Sequence, residues 1–551
     1  MNHEQAFLQA IRETPDDDAP RLIYADWLEE QGGASRAARA EFIRIQCRLD
    51  ELLEDNPARD RLEDEAADLL AEHEYEWTQS LHDIAEDWRF QRGFIEHIRI
   101  RGENLLTHAE RLFDFAPLRS LHLRMPRNDV PHLAACPQLH WVSSLDFSRC
   151  QFNDRALQQL LTSPNLERLS ALNLEGNDIN TPGIRTLVAT PLFARLSRLD
   201  LSANRAVGDS AVRLLVRANT ASNLEELGLA VTNLTMNGLY ELFTSTSLPR
   251  LTNLSISGTA SGFSFEAPPL SSPTEAKFTA RLRSLNLSEI RLPIISPVLR
   301  HVLLTAKLEA LFLRNIDGDR EIAELLSSSP SLTNLRLLHL ARNNLGVAGA
   351  MALADSPHLE SLRHLSIGAN NIRDTGAKAI AESPHLRRLR VLNLAGNGIG
   401  GPGLKALAES ANLDRLHALY LAGNFIGADS VRSLTDSAHL RNLTCLDLGD
   451  AFLEEDSARA LASSANLARL TTLWLAKNLL GDGGAKALAQ SPHLTRLAWF
   501  DLNDNRIGKA GAEALAAASW RRMRNLDLRG NVFTDTQEAL LRKRFGNAVQ
   551  L

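Results

Sequence analysis

Apolar and polar positions along the chain fall into a frame that recurs about every 27 residues from residue 139 to the C-terminus. Each unit carries two apolar residues one position apart, as in Leu392-Asn393-Leu394. A Gly-containing turn and a run such as Leu404, Leu407 and Ala408 follow. The first spacing is that of a strand and the second that of a helix. A marker position after the strand holds Cys150, Asn177, Asn204, Thr232, Thr259, Ile290, Ile316, Asn343, Asn370, Asn397, Asn424, Ala451, Asn478, Asn505 and Asn531. Ten of its fourteen intervals are 27 residues. A fixed period of this size predicts stacked strand–helix units, none of which can bury its apolar face alone.

The marker has a physical reason. The chain must turn out of the strand there, leaving backbone groups that the next strand cannot satisfy. Asn offers both a carbonyl and an NH₂, so one buried side chain can serve two neighbouring turns. Nine of the fifteen positions are Asn, whereas Ile290, Ile316 and Ala451 have no such capacity. The ladder is expected to be weakest between residues 232 and 316. Ser261–Pro273, with three prolines, replaces the expected helix there, and Pro293 and Pro297 weaken the next, so irregular structure is expected over about 260–305.

The segment Leu392–Gly400, LNLAGNGIG, and its near copy Leu419–Gly427, LYLAGNFIG, resemble the leucine-rich repeat of the long, ribonuclease-inhibitor-like subtype. The resemblance implies an α/β solenoid: a horseshoe with a concave parallel sheet, convex helices and a binding function. It covers roughly residues 90–551, with 89–138 as degenerate first repeats, 139–531 as about fifteen clear ones and 532–551 as a C-terminal cap.

Residues 1–88 lack the register and read as a small all-α domain. Asp16-Asp17-Asp18-Ala19-Pro20 starts a helix, Leu22, Ile23, Tyr24, Trp27 and Leu28 form its apolar stripe, and Gly32-Gly33 ends it. A longer helix is expected through Phe42, Ile43, Ile45, Leu49 and Leu52. The strings Asp16–Gly32, Ala40–Cys47 and Arg92–Ile95 resemble the repeat-companion domain, a bacterial module placed before repeat arrays. That family has no established chemistry. Tyr24, Asp26 and Trp27 are read as structural.

Residues 1–90 carry 24 acidic and 9 basic side chains, and the remainder 43 and 51. An acidic head beside a basic body is consistent with separate solvated surfaces or with docking of one on the other. No apolar run is long enough to span a membrane. The first residues lack a secretory pattern, and four scattered cysteines make no disulfide frame, so a cytoplasmic location is expected.

Gly396-x-Gly398-x-x-Gly401 matches the dinucleotide fingerprint literally, but sister units place Ala369-Asn370-Asn371-Ile372-Arg373 and Gly423-Asn424-Phe425-Ile426-Gly427 in the same register, so the repeat explains it. His358, His385, His439 and His493 share a position that elsewhere holds Asn165, Asn412 or Asn466. A hydrogen bond, and no metal, is the expected role. No catalytic motif is present, and neither an enzyme activity nor a cofactor is expected.

The residue between the two apolar strand positions should face the open side of the sheet. Most such residues are small or polar, but Tyr420 and Trp474 are not, and Trp499 joins them from an adjacent position. With Asp447 and Asp501 they form the expected partner-binding patch, and Phe312, Arg314 and His339 a lesser one. The expected function is a non-catalytic scaffold, monomeric, for a protein partner. A GTPase-activator-like accessory acting from the repeat rim is the alternative. Nucleic acid fits poorly, because the C-terminal end of the row is acidic.

Overall fold

In a computed structural model, residues 3–52, 56, 58–218, 223–245, 247–258, 279–427 and 430–551 are described. The chain divides into two compact units, Met1–Phe278 and Thr279–Leu551.

The first unit begins with four helices, α1 (His3–Glu13), α2 (Ala19–Glu30), α3 (Ala34–Glu51) and α4 (Ala58–Thr78). They pack on an antiparallel hairpin of β1 (Ala85–Gln91) and β2 (Phe94–Arg101). Phe94 lies in one core with Ile11, Tyr24, Leu28 and Ile43, and Phe90 packs on a second core around Phe42 and Ile45. From β2 the strands run parallel: β3 (Ser120–Arg124), β4 (Ser144–Asp146), β5 (Ala171–Asn173), β6 (Arg198–Asp200), β7 (Glu226–Gly228) and β8 (Asn253–Ser255).

The stripe expected on α2 is corrected by the structure. Leu22 and Ile23 are exposed, because at 100° per residue the buried face runs through Arg21, Tyr24, Ala25 and Leu28. Arg21 is fully buried and donates to Glu96 Oε1 at 2.5 Å and to the Pro15 carbonyl at 2.9 Å. Arg119 reaches Glu96 from the other side and Asp16 at 2.9 Å. Farther along, Trp141 is flanked by the guanidinium groups of Arg12 and Arg168. The acidic head thus meets the first repeats of its own unit through charged contacts. Tyr24 donates to Glu4, and Asp26 pairs with Arg44, so both are engaged structurally.

The second unit is an α/β solenoid of parallel strands. They are β9 (Ser284–Asn286), β10 (Ala310–Phe312), β11 (Leu337–His339), β12 (His364–Ser366), β13 (Val391–Asn393), β14 (Ala418–Tyr420), β15 (Cys445–Asp447), β16 (Thr472–Trp474), β17 (Trp499–Asp501), β18 (Asn525–Asp527) and β19 (Val549–Gln550). Their central leucines, or Phe500, are buried, and the helices that follow pack side by side.

Every described marker sits four residues past its strand. Asn424 shows its use. Its Nδ2 donates to the carbonyls of Leu394 and Leu421 (3.0 and 2.8 Å), and its Oδ1 accepts the N–H groups of Asn397 and Ile399 (both 3.0 Å). Thr232 keeps one such bond, to Leu229, while Ile290 and Ile316 are simply buried. Asn343 serves the backbone of Ile316 and Gly318 from the next repeat.

The marker Thr259 and the Ser261–Pro273 segment lie outside the described residues. The expected weakening by Pro293 and Pro297 is not what forms: Leu292–Thr305 is a 14-residue helix. Pro293 occupies its first turn, where no N–H is needed, and Pro297 forfeits a single bond inside it.

Candidate functional site

Strands β14 to β18 set the open face of the second unit. Their outer positions are in register: Tyr420, Asp447, Trp474, Asp501 and Asp527 form one row, and Cys445, Thr472, Trp499 and Asn525 the other. The Tyr420 and Trp474 rings meet across Asp447, with centroids 5.9 Å apart. Both are half-buried, whereas Trp499 is 49% exposed. The Cys445 thiol donates to the Tyr420 hydroxyl at 3.7 Å, and burial raises the Tyr420 phenol to about 12. Burial also pushes the Asp447 carboxyl up to about 6, opposed by a hydrogen bond from the Gly449 N–H and reinforced by Asp501. Asp501 is raised too, by burial first and then by neighbouring Asp527.

The acids of this row have a second job, which the sequence reading missed. Asp447 Oδ1 accepts the backbone N–H two residues on, at 3.0 Å from Gly449. Asp501 does the same for Asn503 and Asp527 for Arg529. Asn393 does it for Ala395, and in the first unit so do Asp146, Asn173 and Asp200. Where the position holds Asn or Asp, its side-chain oxygen holds the strand exit in an Asx turn. The signal was present: Asn or Asp recurs there, at Asp146, Asn173, Asp200, Asn286, Asn393, Asp447, Asp501 and Asp527.

The lesser patch is also assembled. Phe312 and His339 are paired across β10 and β11, with rings edge to face at 6.2 Å. Burial lowers the His339 imidazole, and Arg314 lowers it further. Arg314 itself lies 3.7 Å from Glu289.

Two ladders on the helix side account for the other chemical-looking signals. Asp374 Oδ1 accepts the N–H groups of Gly400 (2.7 Å) and Gly403 (3.0 Å), so a carboxylate of the preceding repeat occupies the N-terminus of helix Gly401–Glu409. A dinucleotide phosphate would need that same place. Ser356, Ser383, Ser437 and Ser491 each donate to a carbonyl 29 residues earlier. Each also accepts the N–H of the histidine two residues on: His358, His385, His439 or His493. In the histidine position itself, Asn412 and Asn466 donate to carbonyls of the previous repeat, and His385 meets Glu360. Among the described residues, no three metal-ligating side chains gather.

In the first unit, a cavity of 610 Å³ is lined by Arg99, His122, Arg124, Arg149 and Glu175. Its charge is largely answered internally, since Glu86 holds Arg124, Glu175 holds Arg149 and Asp146 meets His122.

No helix among the described residues is long and apolar enough to cross a membrane. No curated protein sequence matches the chain. Among solved structures, an internalin of Listeria monocytogenes is similar at 21% identity, over 75% of this chain and 88% of that one, with a TM-score of 0.35. The Rad7 and Elc1 complex of yeast is similar at 14% identity, over 96% and 94%, with a TM-score of 0.34. The Leucine Rich repeat family model matches residues 331–354, 358–381, 385–408 and 490–516. These stretches hold buried leucines and the Asn markers Asn343, Asn370, Asn397 and Asn505 described above, and over them the chain is similar to leucine-rich repeats.

Proposed function

We propose that the chain is a non-catalytic scaffold that binds a protein partner on the open sheet face of its second unit. Leucine-rich repeat proteins are in general protein-interaction scaffolds, and stacked repeats offer long surfaces for that use. Tyr420, Asp447, Trp474, Trp499 and Asp501 form the main contact, and Phe312, Arg314 and His339 a second.

One observation carries this reading. At this position Asn393 holds the strand exit with a neutral oxygen, and the strands ending in Tyr420 and Trp474 form without an Asn or Asp there. At Asp447, on the strand between those of two touching aromatic rings, the same task is done by a carboxylate whose charge burial penalises. The fold gains nothing from that charge. A cationic group on the partner would answer it, and the rings would supply the apolar anchors typical of interface centres.

The test uses the full chain with a photo-crosslinking residue in place of Trp499, expressed in its native cells. The captured protein is then titrated against Trp474→Ala and Trp499→Ala. Losses above ~1–2 kcal/mol in binding, with unchanged melting, support the reading. Variants that bind the captured protein as tightly as the parent remove it.

A further inference from the structure

One residue past each marker the chain returns to solvent. In five of the ten repeats of the second unit this position is polar: Arg291, Asp317, Asn344, Asn371 and Arg506. In four it is apolar and exposed: Phe425 (66%), Phe452 (58%), Leu479 (44%) and Val532 (70%). Phe425 and Phe452 stack, with centroids 5.8 Å apart and planes at 29°. Nothing in the fold requires this, because polar side chains serve the same turn elsewhere. Contiguous exposed apolar side chains mark interaction surfaces.

The ridge shares its repeats with the open-face aromatics. Phe425 follows Tyr420 by five residues, Phe452 follows Asp447 and Leu479 follows Trp474, and the connecting turns carry Ala422, Gly449 and Ala476. We infer that Phe425, Phe452 and Leu479 receive an amphipathic helix with basic flanks, an inference that rests on the binding reading above and extends it to the strand-exit edge. The spacing selects a helix. The Phe425 and Phe452 rings follow one another at 5.8 Å, and a helix laid along them presents one turn every ~5.4 Å. An extended strand presents same-face residues only every ~6.6 Å and loses register sooner. The charge selects basic flanks. Asp450 and Asp504 are exposed in the turns beside the ridge, with Asp447 and Asp501 on the face behind them. Lys477 and Arg506 oppose them from the same turns, and Arg529 is held by Asp527.

The experiment measures fluorescence anisotropy of a labelled helical peptide of ~18 residues, five turns, with leucines on one face and lysines flanking them. It is titrated with the full chain. Tight binding is expected, weakened at least ~10-fold in Phe425→Ser/Phe452→Ser and when the peptide's lysines become glutamates or a central proline breaks its helix. Both phenylalanines are exposed, so the melting temperature of the double variant should match the parent. Equal binding of the proline-broken or acidic peptide overturns the inference. So does a concentration-dependent dimer that dissolves in the double variant, which would make a second copy the occupant. If Trp474→Ala and Trp499→Ala abolish binding and the phenylalanine changes do not, the open-face reading stands and the ridge falls. The reverse pattern keeps the ridge and removes the open face.

Discussion

Asp374 and Gly403 belong to consecutive repeats, and the carboxylate of the first caps the helix of the second through the Gly403 N–H. A Cβ on Gly403 would lie 2.6 Å from Asp374 Oδ1 and 2.7 Å from Ile399 Cγ2. The same arrangement joins Asp482 to Gly511. Gly403→Ala therefore sets a helix-propensity gain of ~1 kcal/mol against a lost cap and a clash. A net loss of ~1–2 kcal/mol is expected in urea unfolding, and Asp374→Ala should lose about as much. A Gly403→Ala chain more stable than the parent would mean the cap contributes little.

Asn397 and Asn393 are near neighbours with unequal duties. Asn397 is buried, donates to Ile367 and Leu394 and accepts from Asn370 and Ile372. Asn393 makes one local bond on the open face. Asn397→Ala should cost on the order of 3 kcal/mol or more, because several buried backbone groups lose their partner. Asn393→Ala should cost no more than ~1 kcal/mol. Amide exchange should speed up in the repeats on both sides of residue 397 and only locally at 393.

The Asp447 carboxyl gives a pH signature. Its folded pKa, about 6, lies above the ~3.9 of an unfolded Asp. The folded state therefore holds the proton more tightly. This contribution to stability is full below about pH 4 and is lost as pH rises through about 6. Asp447→Asn keeps an oxygen for Gly449 and cannot charge. Its melting temperature should exceed the parent's at pH 8, by on the order of 2 kcal/mol in stability, and match it at pH 4. Trp474→Ala, which opens the site to water, should shrink that pH dependence. A flat difference between pH 4 and pH 8 contradicts the burial argument.

Two acids contact Arg119 in the first unit and should behave oppositely. Glu96 is buried with Arg21, so Glu96→Gln leaves that guanidinium with only Asp18 at 3.8 Å, and the cost should approach the ~3–5 kcal/mol of comparable broken buried pairs. That loss should be insensitive to salt. Asp16 is 84% exposed, so Asp16→Asn should cost little, and high salt should erase what it costs. Thermal melts at low and high ionic strength separate the two.

The repeat was legible because it is one-dimensional. Leu392, Leu394, Asn397 and Leu404 hold their places by period alone, and a repeat of strand and helix can bury such residues in only one way. The open-face positions of Tyr420, Trp474 and Trp499 followed from the two-residue strand period. Partners 29 residues apart were not legible: Asp374 with Gly403, and the Ser383 hydroxyl with the Ala354 carbonyl. Those bonds depend on how closely neighbouring turns approach, which pattern does not encode. Arg21 was hidden for a related reason. A charged residue is read as solvated until a distant Glu96 is brought to it, and only the packing of α2 against β2 does that. Period and polarity set which face each side chain takes. Three-dimensional proximity alone decided which polar groups are already occupied, as Asp374 is by Gly400 and Gly403.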